Sequence, residues 1–310
     1  MATAPPTPGV PPSTVPSATP FVSPSPTPEV TASPATAPPT IAPPTPPPPA
    51  GSLPLVDSCN PASVPSAIPV TAPASGKDSS FALHVPILEY HRIVPFALAG
   101  DSRRSLVVPP ATFADQLEVF KSAGWHTITM ATLANDLQAH VKPPPKTFVI
   151  TIDDGWADGY TYALPILEKD GFVATYFVIA GRIDKPGILT SADLQALVAA
   201  GEEIGDHTMD HVRLTRENWK QLIYEIDAAA ARIAQVTGYW PESLAYPYGS
   251  VTPGVKIGVA DCQGLRIAVV EKGGTAKVQV LETWANRFAV ARIEISSGTK
   301  MATLVADLGG

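Results

Sequence analysis

From residue 83 the chain alternates between short continuous apolar runs and longer stretches with apolar residues at helical spacing. Residues 85–90 read as a first strand. A helix over 112–122, capped by Thr112, carries Phe113, Leu117 and Phe120 on one face and stops at Gly124. Residues 126–130 read as strand and 133–140 as helix, ended by the prolines at 143–145. Residues 147–152 are apolar and β-branched, the pattern of a buried strand. A helix over 160–169 leads through Gly171 to a strand at 174–179. Another helix, capped by Thr190 or Ser191, ends near Gly201, and a short strand follows at 203–205. Thr215 caps a long amphipathic helix to Gly238, with Trp219, Leu222, Ile223, Ile226 and Ile233 along its apolar stripe. Strands at 243–245, 265–270 and 289–295 complete the series. Repeated strand–helix units predict an α/β fold on a parallel sheet, open or closed into a barrel. In such folds, sites form at the carboxyl ends of strands.

Composition divides the 310-residue chain in two. Of its 36 prolines, 24 precede residue 81, and Glu29 is the only charged side chain in the first fifty residues. Ala, Thr, Pro and Ser fill that stretch, with Ala-Pro-Pro-Thr repeated. Too little apolar surface is present there to offset the entropy of ordering. Residues 1–80 therefore read as a disordered, semi-rigid spacer and 81–310 as one α/β domain. A net charge of −7 argues against a nucleic-acid surface. No run of 18 apolar residues occurs, so no spanning helix is expected. Met1 leads straight into Pro-rich sequence with no signal peptide. Spacers of this kind tether extracellular domains to a wall or membrane, so an extracellular or envelope location is expected, with an upstream signal or anchor removed. Cys59 and Cys262 make no disulfide framework; a single bridge from spacer to domain and two separate thiols both stay open.

Three motifs follow strand ends. The strand at 147–152 runs into Asp153-Asp154-Gly155. Gly155 would break the strand and let both carboxylates project from the sheet edge, where their repulsion calls for a cation or a shared proton. Alone, the tripeptide could equally be a helix start with solvated acids. His207 and His211, at i and i+4, fall on one side of a helical turn, which is chelate spacing. An isolated pair would more often be two surface histidines, but this pair also sits at a strand's carboxyl end. One carboxylate and two imidazoles leave coordination positions open, as catalytic sites require. The third motif is Ala245-Tyr246-Pro247-Tyr248-Gly249. Its turn could aim a backbone N–H at a developing oxyanion and its tyrosines could stack on a sugar, unless it is a plain aromatic loop.

In order, spacing and strand context these motifs resemble those of the polysaccharide deacetylases, the NodB-homology domain of carbohydrate esterase family 4, over about residues 84–305. Residues 151–155, 207–211 and 246–249 carry the resemblance. It implies a distorted (β/α) barrel that hydrolyses N-acetyl groups of N-acetylglucosamine polymers to acetate and amine. It also implies one divalent metal ion (zinc, with cobalt or nickel as alternatives) on Asp154, His207 and His211. Asp153 would be the base that activates water, and the Tyr248 N–H would face the oxyanion. Three departures stand out. Ala245 replaces the arginine that usually steadies the base, the Asp-x-x-Trp motif is missing, and no histidine follows His211 to act as acid. Tyr90-His91 resembles the start of the subgroup acting on poly-β-1,6-N-acetylglucosamine, which makes His91 the candidate acid, unless local hydrogen bonds alone satisfy it. Arg292 sits where that subgroup often has Pro-Arg and is expected to pair with Asp153, or with another acid. Trp156 either walls the cleft or packs in the core. His84, His126 and His140 read as strand-end or surface residues, and Asp210 as a solvated or supporting acid. Peptidoglycan or chitin as substrate, or a noncatalytic glycan-binding module on this fold, are the rival readings.

Overall fold

The structure, a computed structural model, describes residues 1, 81–100, 102, 104–261, 264–271 and 281–308. Except for Met1, the expected spacer over 1–80 lies outside these residues, as do both cysteines. The chain divides into two units, Met1–Ala42 and Pro43–Gly310, and every element below belongs to the second.

Eight strands run parallel: β1 (Ile87–Tyr90), β2 (Thr147–Ile152), β3 (Thr175–Val178), β4 (Glu203–Asp206), β5 (Ser243–Ala245), β6 (Ile267–Val270), β7 (Val290–Ala291) and β8 (Ile293–Glu294). Their order is β7-β6-β5-β4-β3-β2-β1-β8, a nearly closed barrel. β7 and β8 are two halves of one extended segment. Val290 and Ala291 pair with β6 at one edge, while Ile293 and Glu294 pair with β1 at the other. Arg292 lies between them, at the seam.

Among the described residues, eight α-helices accompany the strands: α1 (Pro110–Ser122), α2 (Met130–Ala139), α3 (Leu164–Asp170), α4 (Ser191–Ala199), α5 (Trp219–Ile223), α6 (Ala229–Thr237), α7 (Pro253–Asp261) and α8 (Met301–Asp307). A wide turn, Tyr224–Ala228, joins α5 to α6. None of the described helices is long and apolar enough to cross a membrane.

Several boundaries differ from the sequence expectation for local reasons. α1 begins at Pro110, whose ring presets the first helical φ, so Thr112 caps nothing. The strand near 126 holds only His126–Thr127, because Thr129 accepts the Thr132 N–H and starts α2. Asn218, not Thr215, caps α5, and Trp219 is exposed instead of lining the apolar stripe. α7 and α8 were not anticipated.

Strand parity explains the interior. Register pairs Ile87 with Val149, Glu89 with Thr151, Thr151 with Thr175 and Phe177 with Gly205, so these residues face one side. An apolar cluster on that side joins Ile87, Val149, Phe177, Ala245, Ile267 and Val290 to Met130, Leu133 and Leu137 of α2. The first N–H groups of α2 are taken by this interior: Met130 N–H donates to Thr175 Oγ1 and Ala131 N–H to Glu203. Space is tight, since a Cβ on Gly205 would lie 2.5 Å from the Phe177 ring. Higher up on the same face, the inward side chains become polar: Glu89, Thr151, Asp153 and Arg292, all buried.

Candidate active site

Asp153 continues the inward parity of β2. Its N–H still donates to the Tyr90 carbonyl, so the ladder runs through it, and its side chain is 1% exposed. It therefore does not project from the sheet edge, contrary to the sequence expectation. The chain turns one residue later: Asp154 has φ 75° and Gly155 φ 70°. That reversal brings Asp154, which parity alone would send outward, back over the barrel mouth. Non-glycine residues in this left-handed region store strain and collect at functional sites. Seven are present among the described residues, and four of them are Asp154, Thr208, His211 and Tyr248.

His207 and His211 do not lie on a helical turn. They belong to an irregular loop after β4 in which Thr208 (φ 66°) and His211 (φ 59°) are left-handed. Hydrogen bonds from several elements hold the loop. Asp206 accepts the Thr208 N–H at 2.6 Å, and Thr208 Oγ1 accepts the His211 N–H at 3.0 Å. Glu225, buried in the turn between α5 and α6, accepts Met209 N–H on its carbonyl and Asp210 N–H on its carboxylate. Gly181 lets a second segment approach, since its Cβ would sit 2.6 Å from the Met209 carbonyl oxygen.

The loop brings three donor atoms together. Asp154 Oδ1 lies 3.7 Å from His207 Nε2 and 3.5 Å from His211 Nε2. Tetrahedral ligands about 2.0–2.1 Å from zinc would stand roughly 3.4 Å apart. His207 Nδ1–H donates to the Ala245 carbonyl at 2.8 Å, a tautomer that turns the Nε2 lone pair to the site. Burial and the neighbouring His207 push His211 down to about 4, which keeps its imidazole neutral as a ligand must be. The donor set fits a divalent ion. Trp156 donates its indole N–H to Asp154 Oδ2 at 3.2 Å, and the Arg92 guanidinium stacks on its ring at 4.1 Å. Arg92 is fixed in turn by Asp158 at 2.5 Å. Trp156 thus orients a donor carboxylate.

Beside the donors, Arg292 grips Asp153 with both ends of its fork: Nη1 to Oδ1 and Nη2 to Oδ2, each at 2.7 Å. Nη1 also reaches Thr151 at 2.9 Å and Nη2 reaches Glu89 at 2.8 Å. Burial alone would raise Asp153. The charge and hydrogen bonds of Arg292, with His207 and His91, outweigh it and hold the carboxyl at about 2. His91 closes the group. Its side chain is 13% exposed, its Nε2 lies 4.0 Å from Glu89, and donor atoms of Glu89, His91 and Asp153 all fall within 4.8 Å of one another.

The third motif forms the tight turn Pro247–Gly249, with Tyr248 left-handed and half exposed. Tyr248 packs on His211 (centroids 4.7 Å apart) and beneath Arg213 at 4.2 Å. Tyr246 cannot stack on a sugar: it is 1% exposed and its hydroxyl donates to the Phe288 carbonyl. Pro247 is buried as well. His126 bonds Thr147, His140 stacks on Phe81, His84 is exposed, and none joins the site. Asp210, within the loop, has an exposed side chain. Glu89 and Glu225 were not anticipated. Glu89 was detectable as an acid inside an apolar strand, two residues before His91 and so on the same face; Glu225 leaves no comparable mark.

Residues 140–266 match the family model of the polysaccharide deacetylases. That span contains Asp153, Asp154, His207, His211 and Tyr248 and leaves out His91 and Arg292. YxkH of Bacillus subtilis (strain 168) is 28% identical over 214 residues, 69% of this chain and 72% of that protein. The peptidoglycan-N-acetylglucosamine deacetylase PgdA of Listeria monocytogenes is 31% identical over 108 residues, 34% of this chain but only 22% of its own length. Among solved structures, the Streptococcus pyogenes deacetylase PplD, in complex with acetate, has a TM-score of 0.65 at 24% identity, over 72% of this chain and 97% of that one. Residues 140–266 thus carry the match to the polysaccharide deacetylases, and the barrel around them has the NodB-type fold of these solved structures.

Proposed function

We propose that this protein is a metal-dependent N-deacetylase of N-acetylglucosamine-containing polysaccharide, acting outside the cytoplasm at the end of its Pro-rich segment. The observation that carries this reading is the meeting, over one barrel mouth, of the donors Asp154, His207 and His211 with an arginine-clamped Asp153. A divalent ion, zinc first among the candidates, would supply Lewis acidity toward the acetamide oxygen and the attacking water when bound. Asp153, anionic and oriented by Arg292, accepts the proton of that water. The Tyr248 backbone N–H faces the developing oxyanion, and the exposed Tyr248 ring offers the sugar a surface. His91, on the same face as Asp153, returns a proton to the departing amine, which must leave protonated.

Peptidoglycan is the alternative polymer, supported by the similarity to PgdA over 108 residues. Acetate release by purified, zinc-loaded protein from β-1,6-linked N-acetylglucosamine oligomers, chitin oligomers and peptidoglycan separates the substrates. Cobalt and nickel are tested alongside. Release from at least one polymer, abolished by Asp153→Asn, is expected. No release from any of them with any metal would refute the enzymatic reading in favour of a glycan-binding module.

A further inference from the structure

We propose that Glu89 is a positioning residue for the base: it holds the outer edge of the Arg292 guanidinium, fixes the plane in which that fork meets Asp153, and ties the pair to His91. This rests on Asp153 being the base of the proposed reaction.

Glu89 sits in mid-strand in β1 between Leu88 and Tyr90, and its side chain is 1% exposed. A buried carboxylate costs several kcal/mol against a well-packed apolar residue of similar size. Leu or Met would suit this apolar strand better if stability were all that mattered. What Glu89 does hold is Arg292. The guanidinium is a rigid plane with Thr151 at one end, Glu89 at the other and Asp153 bidentate between them. Turning that plane away from Asp153 breaks the two outer bonds as well.

One guanidinium faces two buried carboxylates. The charged groups around Glu89 are Arg292 and Asp153 from the barrel, Glu294 of β8 (its register partner), Glu271 just past β6, and His91 at 4.0 Å. Burial, only partly offset by Arg292 and reinforced by the three acids, pushes Glu89 up to about 8. At neutral pH the arginine's charge is therefore matched to Asp153, while Glu89 is a neutral acceptor through Oε1. Its Oε2 meets no hydrogen-bond partner among the described residues, which leaves that oxygen free to carry a proton. Once Glu89 ionises, it competes with Asp153 for the same fork.

Three measurements on the full-length, zinc-loaded chain test this. Glu89→Gln keeps a neutral acceptor for Arg292, so it should retain at least about ten times the kcat of Glu89→Leu at neutral pH, with equal bound zinc. The alkaline decline of kcat/KM should move up by about one pH unit or more in Glu89→Gln. The wild-type minus Glu89→Gln infrared difference spectrum near neutral pH should show a protonated-carboxyl band. Equal kcat in the two variants, an unmoved alkaline limb in Glu89→Gln, or no such band would each overturn the proposal. If Glu89→Leu fails to fold, the pH profile and the infrared band decide. A wild type that releases no acetate refutes the proposed reaction instead, and the infrared band still tests the state of Glu89.

Discussion

Replacing Arg292 separates charge from geometry at Asp153, the proposed base. Arg292→Met leaves Asp153 without its two 2.7 Å bonds and Glu89 without the one side-chain hydrogen bond it makes among the described residues, in a pocket where both acids are 1% exposed. Removing one partner of a buried ion pair costs about 3–5 kcal/mol. For a domain of this size that lowers Tm by on the order of 10 °C. Arg292→Lys keeps the charge but offers a point contact where two carboxylates and a threonine meet a fork. It should therefore lose much less stability than Arg292→Met, yet still lose roughly 10²-fold in kcat, because a misaligned base costs about that much. Bound zinc should be unchanged in both, since Arg292 touches none of the three donors. Thermal melts, elemental analysis and acetate release on the same preparations provide the readouts. A folded, zinc-loaded Arg292→Lys variant with wild-type kcat would show that charge alone suffices and that the fork geometry does not matter.

Other predictions concern different parts of the molecule. His207→Ala and His211→Ala should each lose zinc in equilibrium dialysis by at least about 100-fold in affinity, and a fully loaded double variant would contradict the donor assignment. Trp156→Phe keeps the ring under Arg92 but loses the indole N–H on Asp154; zinc affinity should fall about 10-fold with Tm nearly unchanged. Gly205→Ala pushes a methyl into the Phe177 ring and should destabilise by about 1–3 kcal/mol in a denaturant melt. Glu89 has a folded pKa raised from 4.5 to about 8, so its contribution to stability is whole below pH 4.5 and is lost as pH rises through 8. Wild-type Tm should therefore fall, relative to Glu89→Gln, between about pH 5 and about pH 9, and parallel curves would refute the shift.

What could be read from the chain was what local chemistry decides. The β-branched run ending in Asp153 and Asp154 declares both a buried strand and its carboxyl end. The His207–His211 spacing anticipates two imidazoles that meet Asp154 but suggests the wrong backbone. The loop's left-handed residues depend on Glu225, which arrives from a turn many residues later and accepts two of its N–H groups. Tyr246 looked available to a sugar because burial is not written in a motif; its hydroxyl finds the Phe288 carbonyl only after the strands assemble. α7 escaped notice because two glycines interrupt its apolar spacing. Arg292 was reachable as a candidate, but its link to Glu89 depends on which strands lie next to each other.

The seam of the barrel has a consequence for how the protein is made. The segment carrying Arg292 joins each neighbouring strand through two residue pairs and follows all three donors in the sequence. Asp154, His207 and His211 are all synthesised before it. A nascent or partly opened molecule can hold its three donors in place while its base still lacks its counter-ion. On the proposed reaction, docking of this later stretch arms the site, so detachment of the seam segment would silence turnover while leaving the donors as they were.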